Sequence, residues 1–258
     1  MTASQRWRRL LPYLAAVASL LLLWQVAALF LPPFLLPGIP PTLGRLGKVL
    51  HDPAFLGGLQ HSLLRLAIGY PVAVLIGALA GLLAGLARGF AAYLRSLVSI
   101  LQSIPPITWV PFLVILFGFG DVPIIGIIII ASFFPMALAV MNATEGMTRT
   151  HLELAQVMGA SRRQLLLKVY LPEALPAVIA GAQIAFGNAW RAVIGGEMVG
   201  GASAGLGWSI SYAGETADMK GVLIGVLIIG ACAAFLDNVV LELIKRRLLR
   251  WRYVGGPS

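Results

Sequence analysis

The chain has 258 residues, of which 59% are hydrophobic and only 11% charged, and its formal net charge is +9. About a quarter of an ordinary soluble domain is charged, so a mean hydropathy of +0.90 excludes a water-soluble globule. One cysteine and three histidines exclude a disulfide framework and leave too few ligands at zinc spacing for metal or redox chemistry.

Crossing a hydrocarbon layer of about 30 Å takes roughly 20 apolar residues in a helix. Six stretches qualify, at about 13–31, 63–87, 94–118, 122–141, 174–199 and 221–242. A membrane strand would alternate polar with apolar residues, whereas 124–130 is a continuous apolar run broken only by Gly126. The sequence therefore predicts an all-α membrane protein, one transmembrane domain over 1–258 with six spans.

Basic residues mark the cytoplasmic side. The N-terminus (Arg6, Arg8, Arg9), the second loop (Arg88, Arg95), the fourth loop (Arg149, Arg162, Arg163, Lys168) and the tail (Lys245, Arg246, Arg247, Arg250, Arg252) hold most of them, while Arg45, Lys48 and Lys220 fall on the other side. Six spans with both termini cytoplasmic satisfy this division, and the net charge then reports topology instead of nucleic-acid binding. The first apolar run, roughly 19 residues, exceeds the 7–15 of a cleaved signal core, so it is read as the first span. The longest connections, 32–62 and 142–173, leave no room for a soluble domain.

Gly77, Gly81, Gly85 and Gly89 recur every four residues in the second span, and Gly221 and Gly225 open the last one. Such spacing stacks glycines on one face where another helix can approach closely. Pro105, Pro106 and Pro111 in the third span each remove a backbone donor, which predicts a kinked or broken helix and a candidate pathway wall. Trp109 beside them is expected to pack within the protein.

The 142–173 loop is polar and basic yet patterned. Thr150 with Glu153, and Ser161 with Gln164, fit capping boxes and predict short helices over about 152–158 and 162–170. Gly159 falls between them, where a reversing chain needs positive φ, and Pro172 is expected to close the second helix. Leu154, Val157 and Met158 would face one side as a docking surface for a cytoplasmic partner.

These residues resemble the EAA loop of the permease subunits of bacterial ABC importers. Glu153-Leu154-Ala155, three residues, Gly159, nine residues, Val169, one residue and Leu171-Pro172 match the family spacing, with Leu154 in place of Ala and Val169 in place of Ile. Pro105-Pro106, Trp109-Val110-Pro111, Phe117 to Gly120, Gly159-Ala160-Ser161, Trp190 to Glu197 and Gly205-Leu206-Gly207 resemble the nitrate, sulfonate, taurine and bicarbonate branch. The resemblance implies a type I importer permease in the bacterial inner membrane. It would pair with a second copy of itself, dock two cytoplasmic ATPase subunits that bind ATP and Mg, and receive solute from an extracytoplasmic binding protein. It also implies that Glu153, Leu154, Ala155, Met158, Gly159, Ala160, Ser161, Leu171 and Pro172 couple to the ATPase. No Gly-x-x-x-x-Gly-Lys-Ser/Thr loop is present, so this chain is expected to bind no nucleotide and to be no enzyme.

Charged groups at membrane depth are costly and need reasons. Arg65 and Arg191 either reach the outer headgroups or pair with Glu197, or they give an outer vestibule a positive potential suited to a small anion. The candidate pathway residues are therefore Arg65, Pro105, Pro106, Trp109, Pro111, Trp190, Arg191 and Glu197. Asp237 with Asn238 reads as a local cap or interhelical bond. The alternative, an ion-coupled secondary transporter, would carry an inverted repeat and mid-membrane coupling carboxylates, which the sequence does not display. An intramembrane enzyme would need a nucleophile, base or metal cluster; His51, His61, His151 and Cys232 are dispersed.

Overall fold

The computed structural model of the chain describes residues 3–146, 154–155, 157–165, 168–169 and 171–249. Its helices are α1 (Ala3–Phe30), α2 (Ile39–Val49), α3 (Pro53–Leu86), α4 (Arg88–Gln102), α5 (Val110–Phe117), α6 (Asp121–Glu145), α7 (Arg162–Leu165), α8 (Leu171–Val199), α9 (Leu206–Glu215), α10 (Met219–Phe235) and α11 (Glu242–Leu248). A 3-10 turn, Pro106–Trp109, precedes α5, and a π-helical segment, Leu236–Leu241, joins α10 to α11.

The all-α, multi-span fold is the one expected, with one difference among the spans, at the first. Pro53–Gly85, Asp121–Glu145, Pro172–Val199 and Met219–Leu248 are long and apolar enough to cross a membrane. The third span is broken where its prolines predicted, into the pair Gly89–Gln102 and Pro106–Phe117, bent by 87°. Pro105 lacks an N–H, and Pro106 keeps Pro105 out of the helical region, at φ −54° and ψ 129°. The apolar stretch of the first span, Leu14–Phe30, is shorter than the four long helices.

α3 starts at Pro53, well ahead of the expected 63. Asp52 caps it, accepting a hydrogen bond from the Ala54 N–H at 3.0 Å, and a proline in the first turn loses no bond it would have made. The same logic overturns the expectation for Pro172: it opens α8 rather than closing the helix before it.

α6 is the central helix, with Ile124, Ile127, Ile128, Met136, Ala137 and Met141 fully buried between α3 and α8. Glycines set the α3–α6 distance. A Cβ on Gly77 would stand 3.0 Å from the Phe133 carbonyl oxygen, one on Gly81 2.5 Å from that of Ala137, and one on Gly85 would collide with Thr144. Gly69, against Ile128, extends this face by two turns. Gly89 does not belong to it, because α3 ends at Leu86 and the chain has turned into α4. Gly221 and Gly225 pack against Ala213 and Ile210 of α9, as their spacing predicts.

The periphery is held by few polar ties. α1 is fastened to the start of α2, where Trp24 Nε1 donates to the Pro37 carbonyl and the Ile39 N–H donates to Gln25 Oε1, both at 3.0 Å. Arg95 bridges α4 to Glu145 of α6 at 2.6 Å, and Arg45 of α2 reaches Asp218, the cap of α10, at 2.6 Å. The Arg45 guanidinium holds the Asp218 carboxyl below the usual carboxylate range. A lowered folded pKa contributes stability above the unfolded value of about 3.9, and that contribution is lost as pH falls through the folded one. Asp218→Asn keeps a capping side chain and removes only the charge. It should therefore cost a few tenths of a kcal/mol at pH 7, and its melting temperature should begin to converge with that of the parent chain as pH falls below about 4, fully only once the folded carboxyl is protonated.

Candidate functional site

Three places collect the chemistry. The first is a buried ion cluster at the end of the bundle that holds the start of α6 and the end of α8. Arg65 of α3 is 4% exposed and Glu197 of α8 is 1% exposed. Arg65 Nη1 donates to Glu197 Oε1 and to the Ala204 carbonyl, each at 2.7 Å, while its Nε and Nη2 reach Asp121 Oδ1 at 2.8 and 2.7 Å. Ser62 Oγ donates to the Glu197 carboxylate at 2.7 Å and accepts the Leu206 N–H at 2.9 Å. The Gly207 N–H completes the carboxylate's set at 2.8 Å.

Gly205 lets the chain approach. Its φ is +151°, and a Cβ there would collide with the Glu197 carboxyl. The loop 200–206 is thereby fastened onto the Arg65–Glu197 pair. Of the two arginines named from sequence, Arg65 is the one that pairs with Glu197, and its positive charge is spent on two carboxylates.

The second place is a cavity of about 580 Å³ between α8 and the α10–π segment, lined in part by Gln183, Asn188, Trp190, Arg191 and Asp237. Arg191 is exposed, and its polar tie is within its own helix, Nη1 to Asn188 Oδ1 at 2.9 Å. Asp237 is exposed too and accepts no hydrogen bond among the described residues. The local bond expected of the Asp237-Asn238 pair is made by Asn238 alone, whose Nδ2 donates to the Ala234 carbonyl at 3.0 Å. Trp190 is 5% exposed, and its Nε1 is buried without a partner among the described residues.

Asn188 also lines a second cavity, of about 190 Å³, with Gln102, Pro106, Phe134 and Pro135. The break in the third span and the Arg191 cavity thus adjoin on one face of α8. Trp190 and Arg191 line the first cavity and Pro106 the second, with Asn188 common to both, and exposed Pro105 lies beside Pro106 in the break. Trp109 packs edge-on against Phe112 and leans on the core, while Pro111 is exposed in the first turn of α5. Gln183, Asn188 and Asp237 were not among the expected pathway residues. Gln183 and Asn188 do carry a sequence signal, being the polar side chains nearest Arg191 within an apolar span.

The third place is the loop after α6. Residues 154, 155 and 157 are helical, and the Ala160 N–H donates to the Ala155 carbonyl at 2.9 Å across Gly159, whose φ is +79°. This is a Schellman closure. The Ser161 capping box forms as expected: the Ser161 N–H donates to Gln164 Oε1 at 2.8 Å and the Gln164 N–H to Ser161 Oγ at 3.4 Å. The helix it starts, α7, is described over Arg162–Leu165, and Lys168 and Val169 are helical as well; the remaining residues of the predicted 162–170 lie outside the described residues. Glu153, with the box it was expected to form with Thr150, lies outside the described residues. Leu154, Val157 and Met158 are 59%, 86% and 79% exposed, an apolar patch of the kind that marks a protein contact. Ala155 is half-buried, and Leu171 with Pro172 opens α8.

Residues 73–251 match the family described as the binding-protein-dependent transport system inner membrane component. The chain is 31% identical to the taurine transport system permease protein TauC of Escherichia coli, over 88% of this chain and 84% of the relative. It is 32% identical to the bicarbonate transport system permease protein CmpB of Synechococcus elongatus, over 95% and 93%. A chain of the MetNI methionine ABC transporter in an inward-facing conformation shares its fold at 24% identity, with a TM-score of 0.59 over 75% of this chain and 95% of the other. With its several apolar helices and this match over most of its length, the chain belongs to the inner-membrane permease subunits of binding-protein-dependent ABC transporters.

Proposed function

We propose that this permease forms, with a second copy of itself, the translocation pathway of an ATP-driven importer for a small solute with an anionic group, such as a sulfonate, taurine, nitrate or bicarbonate. The observation that carries the reading is Arg191, exposed at membrane depth beside a cavity. Charged side chains in spans face a wet pathway or another protein surface, not lipid. The relatives that transport taurine and bicarbonate support the solute class. In this reading Arg191, Trp190, Pro105 and Pro106 line the route, Trp109 and Pro111 shape the break, and Arg65 with Glu197 holds the outer loop that frames it.

Both termini lie on the cytoplasmic side, and an external binding protein delivers the solute. Glu153, Leu154, Ala155, Met158, Gly159, Ala160, Ser161, Leu171 and Pro172 couple the chain to a cytoplasmic ATPase subunit, which carries the ATP and Mg. ATP binding draws two such loops together and shifts the spans from an inward-open to an outward-open packing.

The test is to tag the chain, extract it gently from its own membrane and identify its companions by mass spectrometry. An ATPase with a Walker motif should co-purify in equal amount. Gly159→Val, strained at positive φ, and Met158→Asp, which charges the exposed patch, should each reduce that recovery at least about tenfold, the effect of some 1.4 kcal/mol at an interface. A chain recovered only with itself would favour the ion-coupled transporter.

A further inference from the structure

We infer that the cavity around Arg191 is a binding site for a zwitterion, a small solute bearing an anionic head and an amine, with Asp237 holding the amine. The inference rests on the pathway reading above and narrows its solute class.

Three observations converge on it. Arg191 and Asp237 line the same cavity without pairing to each other: the guanidinium donates to Asn188, and the carboxylate accepts no hydrogen bond among the described residues. A route for simple anions would be opposed by an unpaired carboxylate beside the cation that lines it, because like charges repel. A solute with both signs satisfies both groups.

Trp190, almost fully buried at the same cavity, carries an indole N–H with no acceptor among the described residues. Buried donors are nearly always paired, so this unsatisfied N–H behind the cavity wall adds a polar group to the Arg191 side of the cavity. Asp237 itself sits in the π-helical turn Leu236–Leu241, a widened turn of the kind that concentrates at functional sites. Sulfonate or carboxylate oxygens would thus lie at Arg191 and Asn188, and the ammonium at Asp237. The volume of about 580 Å³ suits a small solute with room for water.

The test uses the full chain in lipid nanodiscs and reads ligand-induced quenching of tryptophan emission, with Trp190→Phe identifying the reporter. The probes are 2-aminoethanesulfonate, ethanesulfonate and ethylamine. The parent chain should hold 2-aminoethanesulfonate at least tenfold more tightly than either single-charge probe. Asp237→Asn should erase the preference over ethanesulfonate without weakening ethanesulfonate itself, while Asp237→Glu should retain it. Asp237→Asn keeping the full preference, or a parent chain with no preference, would overturn the inference. ATPase recovery is measured on the same preparations. An ATPase-bound chain with no zwitterion preference overturns this inference alone, whereas a preference without any ATPase overturns the importer reading alone.

Discussion

Arg65→Gln is expected to cost the folded chain roughly 3–5 kcal/mol, the usual penalty for breaking a buried ion pair by removing one partner. Glu197 would remain 1% exposed with its charge uncompensated. The 200–206 loop would also lose the Ala204 tie, and Asp121 at the start of α6 would lose its partner. The readout is the yield and melting temperature of the extracted protein, both of which should drop sharply. The effect belongs to a pair, so Glu197→Gln added to Arg65→Gln should recover a large part of the loss: the amide still accepts from Gly207 and Ser62 and no longer buries a charge. A single variant that melts like the parent chain would show that the cluster holds nothing together.

Arg191→Gln should do the opposite. Its one polar partner among the described residues is Asn188, a turn away on the same helix, and it stands at the surface of the protomer. Assembly and melting temperature should stay near those of the parent. Uptake of labelled 2-aminoethanesulfonate should fall about 10- to 100-fold, the equivalent of the 1.5–3 kcal/mol carried by a charge-assisted hydrogen bond. Arg191→Lys should recover only part of it, since an ammonium cannot present two parallel donors to a sulfonate. Full uptake with Gln would remove Arg191 from the pathway. The two arginines look alike in the sequence, one per apolar segment, yet one is fastened to two carboxylates and the other stands exposed beside a cavity.

That separation marks where sequence reasoning ends. The helical character of the spans follows from hydropathy, because in lipid the backbone has few ways to satisfy its hydrogen bonds. The break at Pro105-Pro106 and the positive φ at Gly159 follow from local chemistry, as does the Ser161 box. The α3–α6 contact at Gly77, Gly81 and Gly85 is visible as a four-residue period.

What sequence did not disclose depends on which spans meet. Arg65 and Glu197 are 132 positions apart, and only the packing of α3 against α8 decides that they pair while Arg191 does not. The π turn at Leu236–Leu241 has no residue signature, so Asp237 reads as a helix-end cap until the widened turn places it in the cavity. Pro172 was misplaced for a simpler reason: a proline fits just after one helix or in the first turn of the next, and here it stands in the first turn of α8.

The most direct test of the central claim is a single reporter at Met158, 79% exposed in the apolar patch beside Gly159. With Cys232 replaced by Ser, Met158→Cys in native membranes should cross-link to a Walker-motif ATPase subunit through a short bifunctional reagent, and ATP should change the yield. It should also react with an impermeant thiol reagent only from the cytoplasmic face. A thiol at this position that labels from outside the cell would contradict the topology and with it the coupling role, and one that cross-links to no ATPase would contradict the coupling role assigned to this loop.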